Sequence, residues 1–215
     1  MLTTLLLGAA LCAADVAAPV TVAEFPTELR TPVGVHMLTG TGVRTRTLFK
    51  VKVYTFGLYV DREGARIALA QWRGKSAGDL TADPSVYDAL LNGGLAMTLR
   101  LEMSRDVTAG QMAEAFGDAL APRLVEAAQR NMPGGADALS QFRALFTTPL
   151  TRGTELLFTW SRDDKLLVAI GGRQVGVIDN RALAWAVFDV YLGPNPISPE
   201  GKRSVIARLP ELLST

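Results

Sequence analysis

Alternation of apolar and polar positions dominates the chain from Gly34 to Val60 and predicts two strands, Val35 to Arg46 and Leu48 to Val60, joined by a turn. In the first strand Gly40, Gly42 and Arg44 share a face. Two residues without side chains therefore leave open space beside a guanidinium. In the second strand Phe49, Val51 and Val53 form an apolar face, while Lys50, Lys52 and Tyr54 point the other way. Arg44 and Tyr54 are thus placed to meet across a hairpin.

Further along, Ile67 to Trp72 and Pro84 to Asn92 predict short helices, and Gly93-Gly94 breaks the chain before a strand over Met97 to Met103. Thr108 and Gln111 form a capping box, each side chain serving the other's free backbone donor. The helix that follows to about Arg130 carries Met112, Phe116, Leu120 and Leu124 on one face. A short helix is expected over Ala138 to Phe146 and a strand over Thr154 to Trp160. Arg162-Asp163-Asp164 is a turn, and Leu166 to Ile170 pairs with Gln174 to Ile178 through Gly171-Gly172, residues suited to positive φ. Asn180 caps a helix over Arg181 to Leu192, and Ser198-Pro199 opens a last helix over Glu200 to Leu213. Such an order predicts an α+β fold, a large antiparallel sheet with helices packed on one face.

The 215 residues suffice for one domain to bury a core without disulfide or metal support. Lys and Arg total 22 against 21 for Asp and Glu, so no whole-protein field gathers phosphate, and nucleic acid is not an expected partner. No segment after the first residues offers the run of about 20 apolar residues that a membrane span needs. Leu5 to Ala14 is an apolar, small-residue run like the core of a signal peptide, although no Lys or Arg precedes it. Residues 1–14 are therefore expected to be a signal peptide, 15–33 an N-terminal extension and 34–215 the domain, in a periplasmic or secreted protein. Cleavage after Ala14 would remove Cys12, the sole cysteine, and with it thiol chemistry.

Catalytic signatures are sparse. His36 is the one histidine and no nucleophile elbow accompanies it, which disfavours hydrolase chemistry. No cluster has metal-ligand spacing, and Arg162-Asp163-Asp164-Lys165 fits a solvated turn better than a metal loop. Gly40-x-Gly42 lacks the third glycine and following helix of a dinucleotide fingerprint, so it is read as room for a neighbouring segment rather than a phosphate cradle. No cofactor is expected, with His36 as an axial haem ligand the remaining alternative.

Leu38-Thr-Gly-Thr-Gly-Val-Arg44, the run Phe49 to Tyr59, Trp72-Arg-Gly-Lys-Ser76, and the tail from Ile178 through Gly193, Ser198-Pro199, Lys202-Arg203 and Ala207 to Leu213 together resemble chalcone isomerase and its relatives. The match runs from about Gly34 to Leu213. It implies the family's open-faced sandwich, with a few short strands on the face opposite the helices. It also implies a cleft in which an arginine, here Arg44, holds a phenolate during ring closure onto an unsaturated ketone. The family's polar positions around that cleft fall on Tyr54, Met112, Ala119 and Val190, followed by Tyr191. Met, Ala and Val supply no donors, so the resemblance points to a bacterial, non-catalytic type in which Arg44 and Tyr54 grip the head of an apolar small-molecule acid. Arg44 and Tyr54 would be the working residues if isomerase activity remains. Lys50 and Lys52 either widen the anion site or meet solvent.

Overall fold

The computed structural model describes residues 25–46 and 51–214. The predicted signal run Leu5 to Ala14, and the residues Leu48, Phe49 and Lys50 expected to open the second strand, lie outside these. Seven strands, β1 Glu28–Thr31, β2 Gly34–Arg46, β3 Val51–Asp61, β4 Met97–Met103, β5 Glu155–Trp160, β6 Lys165–Ile170 and β7 Arg173–Asp179, form one sheet. Each pairs antiparallel with the next in sequence.

Alternation sorts the side chains. Phe56, Leu58 and Val60 of β3 face the same side as Met97, Leu99 and Leu101 of β4 and Leu156 and Phe158 of β5, all fully buried in the main core. Helices cover this side: α1 Arg62–Ala68, α2 Ala77–Ala82, α3 Pro84–Asn92, α4 Ala109–Gln129, α5 Gly135–Ala144, α6 Arg181–Leu192, α7 Pro199–Ser204 and α8 Leu209–Ser214. In α6 every residue from Ala182 to Leu192 is buried. A helix apolar on all sides must be central, and α6 packs against α3, α4, α5 and β6.

Local signals explain most boundaries. The Thr108–Gln111 capping box forms in both directions, and the Asn180 side chain accepts from the Leu183 amide at 2.9 Å. Gly171 and Gly172 adopt φ of 57° and 78°, which the two-residue β6–β7 hairpin requires. The expected helix over Glu200 to Leu213 is instead two short ones. Pro210 explains the break, since inside a continuous helix its ring would meet the carbonyl of Ile206, whereas in the first turn of α8 it is tolerated. Residues 28–31, within the stretch expected to be an extension, form the edge strand β1.

The opposite face of the sheet carries a small cluster of Phe25, Leu38 and Tyr59. Arg100 stacks over the Phe25 ring at 5.1 Å and pairs with Glu155 and, at 3.8 Å, Glu102. Among the described residues all strands belong to the single sheet, so the short strands implied on this face are not among them.

Candidate functional site

On the helix-covered side, a cleft of about 510 Å³ opens between the β2–β3 hairpin, the first half of α4 and the segment that follows α6. Five of the six residues singled out from sequence meet there: Arg44, Tyr54, Met112, Ala119 and Val190 all line it. Val53, Val107, Phe116, Pro196 and Ile197 complete the apolar surface. Phe116 is braced by Phe142, Phe146 and Phe158 at centroid distances of 5.3, 5.5 and 5.4 Å, so this wall is a packed aromatic cluster.

Arg44 and Tyr54 are direct partners in the β2–β3 register. The Arg44 Nη1 donates to the carbonyl of Ile197 at 3.0 Å, and among the described residues no carboxylate pairs with this guanidinium. Its remaining donors stay available to a ligand. The Tyr54 hydroxyl, only 5% of that residue being exposed, lies 2.8 Å from the hydroxyl of Tyr191. Burial pushes the Tyr54 phenol upward, opposed by the hydrogen bond from Tyr191 and the charge of Arg44. Tyr191 is pushed well above the usual tyrosine range, chiefly by burial and further by Tyr54. Both are neutral phenols near pH 7. Tyr191, expected to touch ligand, is not a lining residue and stands behind Tyr54 instead.

Two expectations are corrected, and for Lys52 an open alternative is decided. The space beside Arg44 on strand β2 is not open: a Cβ on Gly40 would lie 1.9 Å from the Ser204 carbonyl oxygen, and one on Gly42 would lie 2.8 Å from Gly201 Cα. The glycines admit the backbone of α7, not a ligand. The cleft is also less apolar than Met112, Ala119 and Val190 suggested, because Arg105, Gln111, Asp118, Arg123 and Asn195 share its lining. Lys52 is exposed and does not line it, while Lys50 lies outside the described residues.

The residues that sequence reasoning missed build the wall after α6. Arg123 donates from Nε to Asp189 at 2.9 Å, from Nη1 to the Ala119 carbonyl at 2.7 Å and from Nη2 to the Asn195 carbonyl at 2.6 Å. Asp189 is buried, which pushes its carboxyl up, with the Arg123 charge acting against that. Arg123 is thereby neutralised and serves as a brace, tying α4 to α6 and to residues 193–197. The signal available was an aspartate inside an otherwise apolar helix, which demands a partner.

His36 lies on the other face of the sheet, fully buried, its Nδ1 2.9 Å from the Thr98 hydroxyl, which is in turn 2.9 Å from that of Thr159. It does not reach the cleft. Among the described residues no group of His, Cys, Asp and Glu could hold a metal, and no helix is long and apolar enough to cross a membrane. Chemically, the cleft offers a fixed cation and a neutral phenolic donor above an apolar wall. That suits a head group bearing an anion or developing negative charge.

Comparison with known proteins gives a consistent neighbourhood. The family model described as "Chalcone isomerase like" matches residues 35–206. A chalcone–flavanone isomerase of Oryza sativa is 31% identical over 190 residues, 83% of this chain and 81% of that protein. Fatty-acid-binding protein 2 of Arabidopsis thaliana is 28% identical over 177 residues, 79% of this chain but 44% of that longer protein. In fold, the crystal structure of an Arabidopsis thaliana fatty-acid binding protein superposes with a TM-score of 0.74 at 23% identity, covering 88% of this chain and 94% of that one.

Proposed function

We propose that this chain, which belongs to the chalcone isomerase-like family, holds an apolar carboxylic acid of the fatty-acid kind in its cleft and does not turn it over. The observation that carries the proposal is Arg44: a half-buried guanidinium at the cleft, held by one backbone carbonyl and, among the described residues, paired with no carboxylate. A ligand carboxylate supplies the missing charge, the Tyr54 hydroxyl a second hydrogen bond, and Met112, Phe116, Ala119 and Val190 the surface for an alkyl body. The non-catalytic reading rests on Met112, Ala119 and Val190, since hydroxyls of a polyhydroxylated ligand buried against them would cost about 1–3 kcal/mol each. Likeness to fatty-acid-binding proteins supports this reading.

The test is to purify the protein from its own cells, extract it with solvent and identify acids by mass. Arg44→Ala is expected to weaken retention about 10- to 100-fold, the worth of a hydrogen-bonded charge pair. An acid retained equally by the variant refutes the assignment.

A second reading, an intramolecular lyase closing a chalcone to a flavanone, draws on the neutral Tyr54 donor beside Arg44 and on the isomerase relatives. Loss of chalcone absorbance no faster than the spontaneous rate removes it. Export of the chain is proposed from residues 5–14 alone. An intact N-terminus on protein recovered from the native host would contradict it.

A further inference from the structure

The Tyr54–Tyr191 pair contains more information than its role as a lining element. Two phenols share one hydrogen bond of 2.8 Å, and either oxygen can donate. Two protons are present and only one occupies the bond, so the direction of donation decides where the other points. Tyr191 is 2% exposed, does not line the cleft, and among the described residues has Tyr54 as its only hydrogen-bond partner. If Tyr54 donated, the proton of Tyr191 would be buried without an acceptor, at the cost of a desolvated donor. If Tyr191 donates, that cost vanishes and the Tyr54 proton is free to turn toward the cleft.

Packing holds the pair in place. Phe56 meets the Tyr54 ring at 6.5 Å and the Tyr191 ring at 4.8 Å, both edge-on, at 69° and 61°. Neither ring can swing away without opening the core. Burial keeps both phenols protonated, so the proton count is fixed at neutral pH.

We propose that Tyr191 is a positioning residue: by donating to Tyr54 it points the Tyr54 proton into the cleft, where that proton and the Arg44 guanidinium together meet an anionic head group. The inference rests on the binding reading above and sharpens it. A carboxylate or other acceptor-only anion is accepted. A primary alcohol of the same chain length lacks the charge that Arg44 pairs with and can itself donate to the free lone pair of the Tyr54 oxygen, so the direction of the Tyr54 proton matters less to it.

The experiment compares decanoate with 1-decanol by isothermal titration calorimetry on the full chain. Wild type is expected to prefer decanoate, and Tyr191→Phe to weaken decanoate about tenfold while leaving decanol unchanged or improved. A merely structural loss would weaken both ligands together. Tyr54→Phe, which keeps the ring, is expected to weaken decanoate by about as much, the Arg44 charge being retained. Decanoate binding unaltered in Tyr191→Phe overturns the proposal. A binding-independent arm uses the deuterium isotope shift at the tyrosine ζ carbons of the empty protein. A slowly exchanging hydroxyl is expected on Tyr191 and a fast one on Tyr54. The reverse assignment overturns the proton direction even if wild type takes up no acid, which by itself would remove only the fatty-acid reading.

Discussion

Acidification should unfold this protein through His36 before its exposed carboxylates matter. The imidazole is fully buried, bonded at Nδ1 to Thr98, and among the described residues its Nε2 has no partner. Burial brings its pKa from 6.5 down to about 4, with Asp61 pulling upward and Arg162 downward by smaller amounts. In the unfolded chain the same group protonates below its ordinary pKa near 6.5. Between these two values the unfolded state binds a proton that the folded state refuses, so stability rises with pH across the window and is lost as pH falls through it. A depression of roughly 2.5 pH units, at about 1.4 kcal/mol per unit, amounts to roughly 3 kcal/mol lost between pH 6.5 and 4. Two buried or partly buried carboxyls also carry shifts. Burial favours protonation of Asp61, but Arg162 and the Gly64 and Ala96 amides outweigh it and lower its pKa, so its contribution is present above the unfolded pKa and lost below it. Asp189, raised by burial, has the opposite sign and gives folding a relative gain as pH falls. Comparison with His36→Gln, which does not titrate but can still bond Thr98, subtracts both. Urea midpoints measured at pH 7 and pH 4 should fall further in wild type than in the variant, by about 1 M or more. Equal falls would refute the argument.

The remaining expectations concern packing around the cleft. Gly40→Ala must push the Ser204 carbonyl and with it α7, at about 3 kcal/mol, which calorimetry should record as a drop in Tm of roughly 6–12 °C. A variant melting within 2 °C of wild type would mean that α7 does not lie against β2, by the same scale. Asp189→Ala leaves Arg123 without its carboxylate and should cost about 3 kcal/mol in urea denaturation. The pair Asp189→Ala with Arg123→Met should recover part of that loss, and a double variant as unstable as the sum of both single changes would deny the coupling.

The elements most legible in the sequence were those whose cause is local. Strand alternation put Arg44 opposite Tyr54, and the Thr108, Asn180 and Ser198 caps fixed three helix starts, because each depends on residues within one turn. α2 went unseen although Ser76 and Asp79 form a capping box, since six residues with one buried leucine carry no apolar period. β1 was missed because four residues of an edge strand, Glu28 to Thr31, pair on one side only. Within the site, side chains were readable and backbone was not. Gly40 and Gly42 announce that something comes close, but not that it is α7. Nor does a sequence reveal that Arg44 and Arg123 find the carbonyls of Ile197 and Asn195 across 153 and 72 positions.

Those long-range bonds explain why the head-group site is rigid. Arg44 sits on the second strand of the sheet, yet its orientation is set by Ile197, near the end of the chain. Ile197 is itself fixed on both sides. Its amide donates to the Val190 carbonyl at 2.8 Å, and the next residue, Ser198, caps α7 by accepting from the Gly201 amide. α7 in turn seats on Gly40 and Gly42, four and two residues before Arg44 on the same strand face. Lys202 of α7 donates to the Gly193 carbonyl at 2.8 Å, and Arg123 of α4 holds Asn195, so the start and the middle of the 193–197 segment are braced by different helices. The loop of contacts therefore closes on itself: the glycines admit the helix, the helix fixes the carbonyl, and the carbonyl aims the guanidinium. A ligand anion then meets donors whose ordering was achieved when the chain folded. Little further ordering remains to oppose binding, which is how, under the proposed function, a single charge pair in a partly open cleft would hold an apolar acid.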